Sequence, residues 1–117
     1  MKAKLLIVDD DPDIATMLED RLQASDYGTV IARDGVEALE LVEREAPHLM
    51  LLDLDMPRLT GLEVLKRLPN VRPAEDLPVI VMTAHASIDA AVEAMKTGAY
   101  DFLTKPLDKD HLLIVIG

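Results

Sequence analysis

Short apolar runs alternate with longer amphipathic stretches from one end of the chain to the other. Leu5-Leu6-Ile7-Val8, Leu49-Met50-Leu51-Leu52 and Val79-Ile80-Val81-Met82 are each apolar at four successive positions. Runs of that length suit strands covered on both faces, as in a parallel sheet. Residues 29 to 33 and 100 to 103 are less uniformly apolar and read as two further strands, the former at an edge. Between the runs, apolar residues recur at the spacing of a helix that faces a core. Ile14, Met17, Leu18 and Leu22 make the first such stripe, Val36, Leu39 and Val42 the second, and Leu62 with Leu65 a short third. Ile88, Ala91, Val92 and Met95 make the fourth, and Leu112, Leu113, Val115 and Ile116 the last.

Local chemistry marks the ends of these elements. After a first strand over residues 4 to 9, Asp11 can cap a helix whose first turn Pro12 suits, and Gly28 predicts its exit. Asp34-Gly35-Val36-Glu37 has capping-box spacing, and Pro47 stops the helix that follows. A third helix is predicted over Gly61 to Leu68, then a loop to Leu77, with Pro78 leading into the fourth strand. Ser87 can cap the fourth helix and Gly98 ends it, with Lys96 placed against its C-terminal dipole. The last helix starts at Lys109 and has room for only about two turns, short for a helix that covers a sheet. A truncated last helix, in a fragment of a longer protein, is the expectation.

Five strand–helix units joined by right-handed crossovers leave few topologies. The expected architecture is α/β: a doubly wound, five-stranded parallel sheet of order 2-1-3-4-5 with helices on both faces, a flavodoxin-like arrangement. Ligands of such sheets bind at the C-terminal ends of the strands, where the order reverses. Here that crevice lies between the first and third strands, which brings Asp9 and Asp10 beside Asp53.

Composition adds boundaries. The 117 residues make one domain, and with 50% hydrophobic but only 3% aromatic residues its core is aliphatic. There is no cysteine, so neither a disulfide framework nor thiol chemistry is available. No apolar run approaches a membrane span and no signal-peptide core is present, so a reducing, cytoplasmic setting is expected. Net charge is -10, from 22 acids against 12 bases. Such a surface repels nucleic acid and suits a cation or a partner with a basic face.

The chemistry collects where the apolar runs stop. The first ends in Asp9-Asp10-Asp11, the third strand in Asp53, the fourth in Thr83-Ala84 and the fifth in Thr104-Lys105-Pro106. Two carboxylates about 4 Å apart repel by roughly 4 kcal/mol near a protein surface. Several on one rim require raised pKa values or a cation. Oxygen donors without histidine or cysteine suit Mg²⁺ better than zinc. Asp11 reads as a capping acid only. Lys105 could be a plain salt-bridge partner or could hold a phosphoryl oxygen as a point charge. Thr83 could donate to the same group, with Ala84 leaving room and offering its backbone N–H. A carboxylate nucleophile, a metal, a lysine and a hydroxyl together make a phosphoryl-transfer site that forms an aspartyl phosphate.

With those residues in place, the chain closely resembles the receiver (phosphoacceptor) domain of two-component response regulators. The resemblance rests on Leu6-Ile7-Val8-Asp9-Asp10-Asp11, Leu52-Asp53-Leu54-Asp55-Met56-Pro57, Thr83-Ala84 and Lys105-Pro106, in the family's order and over nearly the whole chain. The segment from His85 to Pro106 looks most like receivers of the nitrogen-regulatory type, which precede an AAA+ ATPase and a DNA-binding module in transcription activators. The resemblance implies that Asp53 is phosphorylated by a phosphohistidine of a sensor histidine kinase. It implies that Asp10, Asp53 and the backbone carbonyl of Asp55 ligate Mg²⁺, with Asp9 orienting the metal's water shell. Thr83, Lys105 and Ala84 would contact the phosphoryl group. Thr83 and Phe102 would form the switch, and the Lys105-Pro106 bond would be cis. Phe102 has the plainer alternative of a core aromatic. Asp55 and His85 lie where family members tune phosphoryl lifetime. The face from the fourth strand to the fifth helix would meet an output domain or a second copy. Such a domain assists only its own phosphorylation and dephosphorylation and is otherwise no enzyme.

Three other readings compete. Asp53-Leu54-Asp55 matches the Asp-x-Asp nucleophile of haloacid dehalogenase-type phosphatases, but those enzymes carry it on their first strand. A flavodoxin-like cofactor module needs a phosphate loop where this chain has Asp9-Asp10-Asp11-Pro12. A pseudo-receiver that only binds partners would not need the full set of acids, Thr83 and Lys105.

Overall fold

The structure, a computed structural model, describes residues 3–56, 59–70, 77–83, 88–105, 107 and 109–116. Its elements are β1 (Lys4–Val8), α1 (Pro12–Ala24), β2 (Gly28–Ala32), α2 (Gly35–Glu45), β3 (Leu49–Asp53), α3 (Gly61–Arg67), a 3₁₀ turn (Leu68–Asn70), β4 (Val79–Thr83), α4 (Ile88–Thr97), β5 (Asp101–Thr104) and α5 (Lys109–Ile116). The sheet has five strands in the order β2-β1-β3-β4-β5, each neighbouring pair parallel, as expected.

Strand alternation divides the core in two. Leu6, Val8, Met50, Leu52, Val79 and Val81 face α2, α3 and α4, together with Val42, Val64 and Ala94. Leu5, Ile7, Leu49, Leu51, Ile80 and Met82 face α1 and α5, together with Leu18, Leu22 and Leu112. Every residue of β3 and β4 is buried, as the continuous apolar runs require. β2 is mostly half-buried, as an edge strand.

The caps explain where the helices begin. Asp11 caps α1 by accepting the Asp13 N–H at 2.9 Å, with Pro12 at the first helical position. Asp34 caps α2 by accepting the Glu37 N–H at 2.8 Å, while the Glu37 carboxylate accepts the N–H of Arg33, one residue before the cap. The full reciprocal box sits on α3, between Thr60 and Glu63, and the Thr60 N–H and hydroxyl, both donating to the Glu63 carboxylate, hold its pKa below the ordinary value. Gly98, at φ +121°, ends α4 as predicted.

Several expectations shift. Gly28 opens β2; α1 stops at Ala24, with Asp26 taking the left-handed turn at φ 72°. The strand bounds move by a residue, leaving Asp9 just outside β1 and starting β5 at Asp101. The buried stripe of α2 is Gly35, Ala38, Leu41 and Val42, with Val36 54% exposed. On α4 it is Ala91 and Ala94 that are buried, while Val92 and Met95 face outward. On α3, Val64 and Leu65 are buried and Leu62 only partly so. On α2 and α4 small side chains, Gly35 and Ala38 on one and Ala91 and Ala94 on the other, take part of the inner face, because they let the helix axis approach its neighbours. At Gly35 a Cβ would lie 2.8 Å from Val64 Cγ2 and 2.9 Å from Leu59 Cβ. Ser87 lies outside the described residues.

Candidate functional site

The C-terminal ends of β1, β3, β4 and β5 meet on one rim. Asp9 follows β1 and is fully buried, its N–H continuing the ladder to the Ala32 carbonyl at 3.1 Å. One of its carboxylate oxygens accepts the Asp11 N–H at 2.9 Å, and the other accepts Lys105 Nζ at 2.9 Å. Asp53 ends β3, opposite Met82 of β4, and is 2% exposed. Its Oδ1 accepts the Asp55 N–H at 3.0 Å and lies 3.5 Å from Lys105 Nζ. Asp10 is exposed, yet one of its oxygens joins the group: single carboxylate oxygens of Asp9, Asp10 and Asp53 all lie within 4.8 Å of one another.

Thr83 ends β4 and is 2% exposed. Its hydroxyl donates to the Asp55 carboxylate at 3.3 Å. Lys105 follows β5 and is tied to β4 by its N–H, which donates to the Thr83 carbonyl at 2.8 Å. Thus Asp9, Asp10, Asp53, Asp55, Thr83 and Lys105 are brought together on one rim. Ala84, His85 and Pro106 lie outside the described residues, and with them the expected backbone contact and cis bond. Phe102 is 41% exposed on β5, which rules out the core-aromatic alternative.

The electrostatics follow from the burial. Burial pushes the Asp53 carboxyl up to about 6, with the Asp9 and Asp55 charges adding to the rise and the Asp55 N–H and Lys105 opposing it. Burial alone would lower the Lys105 ammonium, but its hydrogen bond to Asp9 and the charges of Asp53 and Asp9 outweigh burial and leave its pKa raised. One ammonium therefore faces several carboxylates. Hard oxygen donors in that number, without histidine or cysteine in the cluster, fit a Mg²⁺ ion.

Gly61 belongs to the site although nothing in the sequence reading singled it out. A Cβ there would sit 2.6 Å from the Asp53 carbonyl oxygen and 2.8 Å from Leu54 Cα. The start of α3 packs directly on the backbone that carries Asp53, and only glycine allows that approach. The available signal was Thr60-x-x-Glu63, which puts the helix start at Gly61.

A sequence model described as the response regulator receiver domain matches residues 5–116. The chain belongs to that family. Among the receiver domain's relatives, the transcriptional regulatory protein ZraR of Klebsiella oxytoca is 41% identical over 113 residues, 97% of this chain and 25% of its own length. Among solved structures, Vibrio cholerae chemotaxis protein CheY4 superposes with a TM-score of 0.93 at 30% identity, covering 99% of this chain and 97% of its own. NtrX from Brucella abortus superposes with a TM-score of 0.90 at 36% identity, covering 99% of this chain and 26% of its own. This receiver domain therefore spans about a quarter of the ZraR protein it matches, and nearly all of CheY4. Among the described residues, no helix is long and apolar enough to cross a membrane.

Proposed function

We propose that the domain is a phosphorylation-dependent switch in which Asp53 accepts a phosphoryl group from a phosphohistidine of a sensor histidine kinase. The observation that carries this reading is the convergence of the Asp9, Asp10 and Asp53 carboxylate oxygens within 4.8 Å, with Lys105 reaching Asp9 and Asp53. In the transfer, an Asp53 carboxylate oxygen forms a bond to phosphorus as the donor's N–P bond breaks and the imidazole leaves. The nucleophile is the ionised carboxylate, so its half-titration at about 6 leaves it available at neutral pH. Lys105 and Thr83 are positioned to take phosphoryl oxygens, with the Ala84 N–H assigned the same role.

Asp10, Asp53 and the Asp55 backbone carbonyl would hold Mg²⁺, with Asp9 beside them. Bound there, the cation neutralises the carboxylates and the incoming phosphoryl oxygens. A phosphoryl group adds about 1.5 to 2 negative charges to the rim. That charge draws on Thr83 and Lys105 and biases the β4–α5 side between two arrangements. Val92, Met95, Tyr100, Phe102 and Ile114, all exposed on α4, β5, α5 or the adjoining turn, support this side as the one that meets an output module or a second copy. Transcription regulation is the output we favour, from relatives such as ZraR, in a cytoplasmic setting. The domain itself, at a net charge of -10, does not bind nucleic acid. The phosphatase alternative is disfavoured because Asp53-Leu54-Asp55 leaves the third strand rather than the first.

The test is intact mass after incubation with an acyl phosphate, with Mg²⁺ or with EDTA, on the parent and on Asp53→Asn. One phosphoryl adduct requiring both Mg²⁺ and Asp53 is expected. A folded, Mg²⁺-binding sample that takes no adduct would favour the pseudo-receiver instead.

A further inference from the structure

We infer that the Asp55 carboxylate is a latch on Thr83: it occupies the hydroxyl in the unphosphorylated domain and must release it before a phosphoryl group on Asp53 can take it. The inference rests on the proposed function and gives Asp55 a role through its side chain, apart from its backbone carbonyl. Three observations carry it. Thr83 Oγ1 donates to Asp55 Oδ2 at 3.3 Å. The Asp55 N–H is itself tied to Asp53 Oδ1 at 3.0 Å. This short-range turn fixes the backbone of residue 55 beside the nucleophile, so its side chain reaches across to the end of β4. Thr83 is 2% exposed, which leaves its hydroxyl little access to water as a substitute acceptor.

The competition follows from stoichiometry. A threonine hydroxyl has one proton and donates one hydrogen bond at a time. Whatever Asp55 holds, a phosphoryl oxygen cannot. Asp55 is exposed, so on release its carboxylate returns to water at little penalty. The pair is therefore a weak, reversible hold, suited to a switch. Asp55 is a positioning residue here, acting through Thr83 rather than on phosphorus.

Like-charge repulsion between Asp55 and the phosphoryl group would also oppose capture, and the experiment must separate it from the latch. Beryllofluoride with Mg²⁺, a stable mimic of a phosphoryl group, is titrated into the ¹⁵N-labelled domain and followed by NMR. Four proteins are compared: the parent, Asp55→Ala, Thr83→Val and the double variant. The latch predicts that Asp55→Ala tightens binding about five- to tenfold when Thr83 is present, the share of one ordinary hydrogen bond, in keeping with the 3.3 Å contact to an exposed carboxylate. In the Thr83→Val background the same substitution should change affinity little, because the hydroxyl it frees is gone. A second readout needs no ligand: side-chain couplings should show the Thr83 χ1 populations moving on Asp55→Ala. Equal tightening in both backgrounds would assign the effect to charge alone and overturn the latch. No tightening in either, or unmoved χ1 populations, would overturn it as well. If the parent bound no beryllofluoride in an Asp53-dependent way, the proposed function would fall, and the latch with it.

Discussion

At the N-terminal edge of β1, Lys4 reaches Glu45 at 3.3 Å, and the two side chains are 33% and 35% exposed. At the C-terminal edge of the same sheet, Lys105 reaches Asp9 at 2.9 Å, with 13% and 0% exposed. The partners are chemically alike and the surroundings are opposite. Lys4 also donates to the Glu45 carbonyl at 3.2 Å, and its backbone is clasped by His48, whose Nδ1 accepts the Lys4 N–H at 3.0 Å. That end is balanced in charge and open to water. At the other end one lysine is shared by Asp9 and Asp53, with Asp10 completing the acidic group. The first pair fastens an edge. The second leaves a buried surplus of negative charge that the aliphatic core holds in place. The fold is stable around the rim rather than because of it, and the surplus is a charge that a bound cation would neutralise.

Removing each lysine should separate the two ends most clearly. Lys105→Ala leaves buried carboxylates without their counter-ion and is expected to lower unfolding free energy by about 3 kcal/mol at neutral pH in EDTA. Lys4→Ala, at the solvated pair, is expected to lose less than about 1 kcal/mol. Urea unfolding of both proteins checks this, and added Mg²⁺ should restore stability to Lys105→Ala but not to Lys4→Ala. Equal losses would mean that the rim carries no special strain.

The next effect has the opposite sign. The folded Asp53 carboxyl titrates at about 6, above its ordinary 3.8, so the folded state holds this proton more tightly than the unfolded one. Its contribution to stability is fully present below 3.8 and is lost as pH rises through 6. At pH 7 the ionised group thus costs on the order of 3 kcal/mol. Asp53→Asn should raise the melting temperature at pH 7 in EDTA, with the gain shrinking toward pH 4 or on adding Mg²⁺. A pH-independent gain would tie the effect to packing instead.

Gly61→Ala sharpens the comparison by disturbing the rim without touching a charge. The new Cβ would press on the backbone of Asp53 and Leu54, which cannot yield as a flexible side chain would. A loss of about 1 to 2 kcal/mol is expected, from overpacking. Mg²⁺ affinity, followed by the Asp53 and Asp55 amide resonances, should weaken along with it. Stability lost with unchanged Mg²⁺ affinity would place Gly61 in the scaffold alone.

The rim was legible in the sequence for a simple reason. Asp9, Asp53 and Thr83 each stand where an uninterrupted apolar strand stops, Lys105 follows the less uniformly apolar fifth strand, and parallel crossovers force those ends onto one side. The sheet order followed from the same pattern. The inner faces of α2 and α4 were legible only in part: Val42 and Ala91 are buried as their stripes predict, but Val36, Val92 and Met95 face outward while Gly35, Ala38 and Ala94, whose small size reveals itself only against a neighbour, face inward. The Thr83–Asp55 bond was hidden for a related reason: it depends on side-chain rotamers and a turn, which spacing does not encode. Gly61 looked like an ordinary helix start until the Asp53 carbonyl stood against it.

The alanine face of α4 has a further consequence. Ala91 and Ala94 bury far less apolar surface than the leucines that fasten α1, so each contact withdraws little area from water. The attachment well beneath α4 is correspondingly shallow, and shallowly held segments are the first to open and the cheapest to reposition. Thr83 leads into that helix from the floor of the site. A rearrangement worth one hydrogen bond at the end of β4 weighs more against the small contacts of Ala91 and Ala94 than against the leucines of α1. Among the described residues, α4 is held more lightly than α1 and is the easier of the two to move.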